Sequence, residues 1–390
     1  MYNIKLLNNI SDIIYSQLTP ESFQITDDLD SAHGILVRSA NMHDITLPPN
    51  LLGVARAGAG YNNIPIDKCT DQGIVVFNTP GANANAVKEL VLASLFLTSR
   101  KIYEGIEWVK TLKGKGNEIS KLIEKGKSDF TGPELAGKKL GVIGLGAIGA
   151  LVANGAHGIG MDVTGYDPFI SVKAAWSLSR SVHQADNLDT ILAESDYISI
   201  HIPLTSDTKD YLNKESFSKM KKGARLLNFS RGELVNTEDL LAAIEEGIVS
   251  TYATDFPNEQ LLGSDNVIPI PHLGASTPES EDNCAMMASQ QLRTYIETGN
   301  IVNSVNFPHC EMPNTGHIRI TIAHRNVPNM VSQITTRLAT NNINIANMMN
   351  KSKGNAAYTI IDIDGIAPTE LLQNILDIDG VIKVRKIPQE

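Results

Sequence analysis

The sequence of 390 residues predicts an α/β protein with two successive βα series and a small ferredoxin-like unit at its end. Three observations carry that class. Lys139-Lys-Leu-Gly-Val-Ile-Gly-Leu-Gly-Ala-Ile-Gly149 reads as a short apolar strand running into a Gly-rich turn that opens a helix. Residues 1–80 repeat short apolar runs and turns without such a glycine motif. From residue 317 onward the pattern becomes βαββαβ, too small for a further doubly wound sheet.

The length calls for two or three domains, because single cores stop growing near about 250–300 residues. A composition of 42% hydrophobic and 19% charged residues belongs to an ordinary globular chain. No run approaches the roughly 18 apolar residues of a membrane span, and no signal peptide is evident, so neither membrane nor secretion is expected. Cys69, Cys284 and Cys310 lack metal-ligand spacing and read as reduced thiols of a cytosolic protein, with no metal site. A net charge of -10 argues against nucleic acid as a partner, since phosphate backbones demand basic patches.

In the first series, Gly34–Arg38, Gly53–Arg56 and Ile74–Phe77 are the expected strands, with a short helix over Pro65–Asp71. From Asn83 to about Thr111 the apolar spacing is helical: Val87, Leu90, Val91, Leu95 and Thr98 recur at three- and four-residue intervals. Lys110 to Lys127 reads as a solvated loop or short helix. The second series expects strands at 139–143, 161–166, 197–201, 224–228, 249–254 and 267–270. Thr277 then caps a helix with Pro278 at its first position, and Gly299 ends it. A polar linker over 309–316 precedes strand 317–323, helix 327–340, strands 343–350 and 356–363, helix 368–377 and strand 381–387.

Gly144, Gly146 and Gly149, with Ala147 and Ile148 between them, fit the spacing of a dinucleotide turn. The first glycine permits the tight turn, the second admits a pyrophosphate, and the third packs helix on strand. The strand Met161–Tyr166 ends in Asp167, where an acidic side chain takes the ribose hydroxyls of NAD and repels the extra phosphate of NADP. Downstream, Arg231, Glu259 and His272 each follow a predicted strand, the end at which open α/β sheets bind ligands. That trio suits the reversible oxidation of a 2-hydroxy acid. The Arg grips the carboxylate and polarises the carbonyl, the His moves the hydroxyl proton, and the Glu fixes the His tautomer.

Gly144–Gly149 with Asp167, Asn228–Glu233, Phe256–Glu259 and Pro271–Thr277 together resemble the D-isomer-specific 2-hydroxyacid dehydrogenases, over roughly residues 1–308. The resemblance implies a Rossmann-type nucleotide domain (96–274) inserted in a flavodoxin-like α/β substrate domain (1–95 and 275–308), whose cleft closes on substrate. It further implies a homodimer or homotetramer, and its nearest likeness is to the phosphoglycerate-oxidising branch of the family. One departure stands out. Many members carry Asp-Val-Phe before the catalytic Glu, whereas this chain reads Thr254-Asp-Phe-Pro-Asn-Glu259. Alignment on Phe256 assigns Glu259, with Asp255 placed at the cofactor and standing as the competing carboxylate.

A phosphorylated acid needs more cations than lactate does. Arg38, followed by Ser39, and Arg56 end strands and match positions that resemble the family's phosphate-binding residues; strand-end arginines also cap or pair. The amides from Ala57 and Gly58 to Gly60 offer a carboxylate nest, and Asn83 precedes a helix that can hold an oxyanion. The expectation is NAD-dependent oxidation of 3-phosphoglycerate to 3-phosphohydroxypyruvate, the entry to serine synthesis. Glyoxylate or hydroxypyruvate reduction is the alternative, and a non-catalytic NAD-sensing regulator is the alternative of another class. The unit 317–390 resembles an ACT regulatory domain, which implies L-serine as ligand at exposed His324, Asn326 and Asn344. Asn329 stands where that pattern usually has Gly, so a side chain there is expected to strain the turn or crowd the ligand.

Overall fold

The computed structural model describes residues 1–387; the last three residues of the predicted 317–390 unit lie outside the described residues. The chain folds as two compact units, Met1–Asn83 with Glu281–Glu390, and Ala84–Ser280.

The first unit opens with β1 (Tyr2–Leu6), β2 (Phe23–Thr26), β3 (Gly34–Val37), β4 (Gly53–Arg56), α1 (Ile66–Asp71) and β5 (Val75–Phe77). All four pairings are parallel, in the order β2-β1-β3-β4-β5, the doubly wound order of flavodoxin-like sheets. Strands β3 and β5 are buried throughout, which makes them read as continuous apolar runs. By contrast β1 and β2 are only half-buried and mix polar residues into their runs, and neither is among the expected strands.

The second unit begins with α2 (Ala84–Ser99), α3 (Ile102–Thr111) and α4 (Ile119–Gly126). The single helix expected over 83–111 is therefore broken at Arg100-Lys101. Helix α2 falls wholly in this unit, whereas the sequence division runs through it at 95/96. The reason is packing: Val87, Val91 and Leu95 share a core with Leu140, Val142, Val152 and Ala156. The sheet follows, in chain order β6 (Lys139–Ile143), α5 (Ala147–Gly158), β7 (Asp162–Tyr166), α6 (Val172–Ser177), β8 (His183–Gln184), α7 (Leu188–Glu194), β9 (Tyr197–Ile200), α8 (Lys214–Ser218), β10 (Ala224–Asn228), α9 (Thr237–Glu245), β11 (Val249–Thr254) and β12 (Val267–Pro269). The strands are all parallel, ordered β12-β11-β10-β9-β6-β7-β8. The order reverses between β6 and β9, so the topological switch point lies beside the glycine turn.

Helix α10 (Pro278–Thr298) carries the chain back into the first unit. Its first turn is capped as expected, Thr277 Oγ1 accepting from the Ser280 amide (3.1 Å), and Gly299 ends it at φ +74. The C-terminal part then forms β13 (Ile318–Arg325), α11 (Met330–Thr340), β14 (Ile345–Lys353), β15 (Ala356–Ile363), α12 (Thr369–Leu376) and β16 (Val381–Ile387). Its sheet is antiparallel, in the order β14-β15-β13-β16, consistent with a ferredoxin-like arrangement.

This C-terminal sheet packs against the rest of its unit. Ala323, Ala356, Tyr358 and Ile360 share one core with Ile4, Leu36, Phe77, Leu292, Tyr295, Ile296 and Phe307. The last carbonyls of α10 find their donors there: Arg385 bonds Ile296 O (2.8 Å), Arg319 bonds Thr298 O (3.2 Å) and the Tyr358 hydroxyl bonds Gly299 O (2.8 Å). The two arginines meet the negative end of the helix. The segment 309–316 is tied down as well, since Ile301 and Cys310 exchange both backbone hydrogen bonds and Cys310 and Met312 are buried.

Candidate active site

In the second unit the strand ends form a row. Register pairs Ile143 with Tyr166 and Ile200, Asn228 with Ile200 and Thr254, and Thr254 with Pro269. The residues just beyond those ends include Gly144, Asp167, His201, Arg231, Asp255 and His272, all from the carboxyl edge where open parallel sheets bind ligands.

At β6 the three glycines have different physical reasons. Gly144 sits at φ +89, and a Cβ there would lie 2.7 Å from His201 O. At Gly149 a Cβ would meet Gly144 O at 1.9 Å, so only glycine lets α5 begin this close to the strand. Gly146 is the N-cap of α5, and a Cβ there would meet nothing within 4 Å. That open space, together with unpaired amides in the first turn of the helix, fits a dinucleotide's phosphates. Asp167 follows β7 and turns its carboxylate onto the same turn, accepting from Leu145 N (2.9 Å) and Phe169 N (2.8 Å).

Arg231 follows β10 through a turn built by Asn228. This buried amide accepts from Ser230 N (3.1 Å) and donates to Arg231 O (2.8 Å) and to the Tyr252 hydroxyl of β11 (3.2 Å). The turn is thereby fixed while the guanidinium remains exposed, 6.0 Å over the ring of Phe256. Phe256 also neighbours His272, their ring centroids 4.7 Å apart. Arg231, Phe256 and His272 thus stand together.

The two carboxylates are placed differently. Glu259 is exposed, with no hydrogen bond or ion pair among the described residues. Asp255 is buried, accepts from the Gly274 amide and its own, and keeps Oδ1 without a partner. Burial pushes its carboxyl above the ordinary range, and the charges of His272 and Arg231 oppose that rise. Asp255 thus sits against the His272–Gly274 turn, while Glu259 stands exposed in the loop after β11. His201, which the sequence did not single out, lies at the switch point with Nε2 2.8 Å from Ser199 Oγ and Nδ1 unpartnered. Burial pushes its imidazole down to about 4, so it is neutral at pH 7. Nothing in its spacing sets it apart from any strand-end histidine.

In the first unit, Arg38 pairs with Glu281 of α10 (2.7 Å). The amides of Arg38, Ser39 and Ala40 all converge on Asn8 Oδ1, at 3.0, 3.0 and 2.9 Å. Arg56 ends β4, and a Cβ at Gly58 would lie 2.2 Å from its Nη1, so glycine makes room for the guanidinium. The expected nest over 57–60 is narrower than the sequence implied, because Ala57 N bonds Val37 O and Gly58 N bonds Arg56 O. Asn83 Oδ1 and Thr79 Oγ1 are buried without partners.

The C-terminal candidates are not all exposed. His324 is buried, its Nδ1 donating to Arg325 O (2.9 Å) and its Nε2 2.9 Å from Thr359 Oγ1. Burial lowers its pKa. Its position in β13, between β15 and β16, turns it into the sheet interior. Asn326 donates to Gly354 O (3.1 Å) and Asn344 to Asp364 Oδ2 (2.6 Å). Asn329 adopts the left-handed conformation, φ +66, directly before α11. The turn is kept without glycine because Asn tolerates that region better than other side chains.

Residues 92–274 match the family model described as D-isomer specific 2-hydroxyacid dehydrogenase, NAD binding domain. D-3-phosphoglycerate dehydrogenase of Haemophilus influenzae is 30% identical over 390 residues, covering 96% of this chain and 91% of that protein. The enzyme of the same description from Escherichia coli is 30% identical over 378 residues, covering 93% of this chain and 88% of its own length. Among solved structures, NAD+-bound 3-phosphoglycerate dehydrogenase of Entamoeba histolytica superposes with a TM-score of 0.61 at 26% identity, over 78% of this chain and 98% of that one.

Proposed function

This chain belongs to the D-isomer-specific 2-hydroxyacid dehydrogenases, and from that premise we propose that it oxidises 3-phospho-D-glycerate to 3-phosphohydroxypyruvate. It is an NAD-dependent dehydrogenase of a small 2-hydroxy or 2-oxo acid. The choice of acid is supported by the likeness to phosphoglycerate dehydrogenases along nearly the whole chain. The chemistry is supported above all by one observation: Arg231 and His272 flank Phe256 at the carboxyl edge of the nucleotide sheet.

NAD, when bound, supplies the hydride acceptor. The turn at Gly144–Gly149 takes its phosphates, with Ala147 and Ile148 opening the helix, and Asp167 takes its ribose. Arg231 forks onto the substrate carboxylate and polarises the C2 oxygen. His272 takes the hydroxyl proton in oxidation and returns it in reduction. Glu259 is the carboxylate that orients His272 when substrate is held, and Asp255 holds the His272 turn from inside through Gly274. Arg38, Ser39 and Arg56 serve the phosphate, and the Ala59 and Gly60 amides with Asn83 serve the carboxylate. The C-terminal part acts as an ACT-type regulatory domain for L-serine, with Asn326 and Asn344 as contacts and His324 supporting them from the interior.

The test follows NADH loss with phosphohydroxypyruvate, hydroxypyruvate, glyoxylate, pyruvate and 2-oxoglutarate in parallel. The phosphorylated acid should give the highest kcat/KM, and His272→Ala should abolish turnover while sparing NADH binding. Preference for an unphosphorylated acid overturns the substrate assignment, and unchanged turnover in His272→Ala overturns the base. Calorimetric titration with L-serine decides the regulatory assignment, an absence of heat removing it.

A further inference from the structure

At the end of β3 the protein's own oxygens already engage the anion-binding donors, Asn8 the amides and Glu281 the guanidinium. Three successive amides, from Arg38 to Ala40, would make an anion nest, but all three are spent on Asn8 Oδ1. What remains for an external anion at this strand end is the Arg38 guanidinium, and Glu281 Oε1 holds it at 2.7 Å. Neither partner is shut away from water, the side chains being 39% and 43% exposed, so the pair can open. Glu281 lies in the first turns of α10, and its neighbour Asp282 accepts from Ser11 Oγ (2.5 Å), which ties that end of the helix to the turn after β1.

We propose that Glu281 is a specificity-tuning residue: an internal competitor that a substrate phosphate meets at the Arg38 guanidinium. An unphosphorylated acid leaves the pair intact. A phosphorylated one competes with Glu281 for the Arg38 Nη2 and meets its carboxylate as a like charge at the same guanidinium. Glu281 thereby weakens binding of phosphorylated acids selectively. This inference rests on the reading of Arg38 as a phosphate ligand. Glu281→Gln is the informative change, because the amide oxygen can still orient the guanidinium while the charge is gone. Exposed ion pairs of this kind correspond to an equilibrium factor of about two to five.

The experiment compares KM for phosphohydroxypyruvate and for hydroxypyruvate in the full-length enzyme, in Glu281→Gln, in Arg38→Ala and in the double variant, with inorganic phosphate as a competitive inhibitor in each. In Glu281→Gln the ratio of the two KM values should move about threefold toward the phosphorylated acid, and phosphate should inhibit more strongly by a similar factor. Both shifts should vanish in the Arg38→Ala background. If Arg38→Ala raises the KM for phosphohydroxypyruvate but Glu281→Gln leaves the ratio and the phosphate inhibition unmoved or weakened, Glu281 is no competitor and the inference is overturned. If Arg38→Ala moves neither constant, the assignment of Arg38 itself fails and takes the inference with it.

Discussion

Replacing Asp362 by Asn should loosen the first unit. Arg319 and Asp362 form a forked pair, Nε to Oδ1 at 2.7 Å and Nη2 to Oδ2 at 3.0 Å, with side chains only 5% and 1% exposed. The same guanidinium bonds Thr298 O, Met312 O and Pro313 O, so it joins β13 to the end of α10 and to the segment before it. Taking one charge from a buried pair leaves the other uncompensated, at a cost of about 3–5 kcal/mol. Asn keeps one oxygen for the fork, which puts the expected loss near the lower end, about 3 kcal/mol. Arg319→Met combined with Asp362→Leu should recover part of this, with a coupling of at least about 2 kcal/mol, because no charge is then stranded. Recovery stays incomplete, since three carbonyls lose their donor. Both tryptophans, Trp108 and Trp176, lie in the second unit, so indole fluorescence does not read this change. The assay is hydrogen exchange in urea, followed by peptide mass over 287–307 and 318–325. Unchanged protection of those peptides in Asp362→Asn, or single-variant losses that simply add in the double variant, would refute the reasoning.

Two further outcomes are expected. Gly149→Ala forces its Cβ to within 1.9 Å of Gly144 O, so α5 must shift and NADH affinity should fall about 100-fold, whereas Gly146→Ala has open space and should keep its melting temperature while losing affinity; fluorescence titration and thermal unfolding check both. Burial, with Arg385 as a second cause, pushes Lys383 down to about 8 from 10.5 although its Nζ donates to Leu51 O. The unfolded chain therefore binds more protons between those values, stability rises with pH through that window, and the full cost is present below about pH 8. Lys383→Met should stabilise at pH 7 by about 1–2 kcal/mol, once the lost hydrogen bond is subtracted, and that gain should fade by pH 10; a gain that does not shrink as pH rises contradicts the assignment.

What could be read from the sequence follows burial. Strands β6, β9, β10 and β11 of the second unit are largely buried apolar runs, and β6, β10 and β11 fall at the expected residues, whereas the exposed pair His183-Gln184 of β8 carries no such signal. Strands β1 and β2 escaped because half-buried strands carry polar residues and lose the apolar run. The break between α2 and α3 has no Gly or Pro to announce it; at that point Gly132, distant in sequence, packs on the Ser99 carbonyl so closely that a Cβ would lie 2.0 Å away, a contact invisible along the chain. At the site, glycine spacing is local and legible. How the loop after β11 turns is not legible along the chain, and it leaves Asp255 buried and Glu259 exposed. His324 shows the same limit, since its polarity suggested solvent while its register in β13 sends it inward.

The core shared by β1–β5, α10 and the C-terminal sheet also sets an order of events during synthesis. Ile4, Leu36, Val75 and Phe77 are closed off by Leu292, Tyr295, Phe307 and Tyr358, residues made more than 200 positions later. At roughly 5–20 residues per second the ribosome needs on the order of tens of seconds to supply them. The contiguous second unit can finish folding in that interval, whereas the first five strands wait with an uncovered apolar face. The apolar face of residues 1–83 therefore stays open to non-native contacts until Tyr358 has been made.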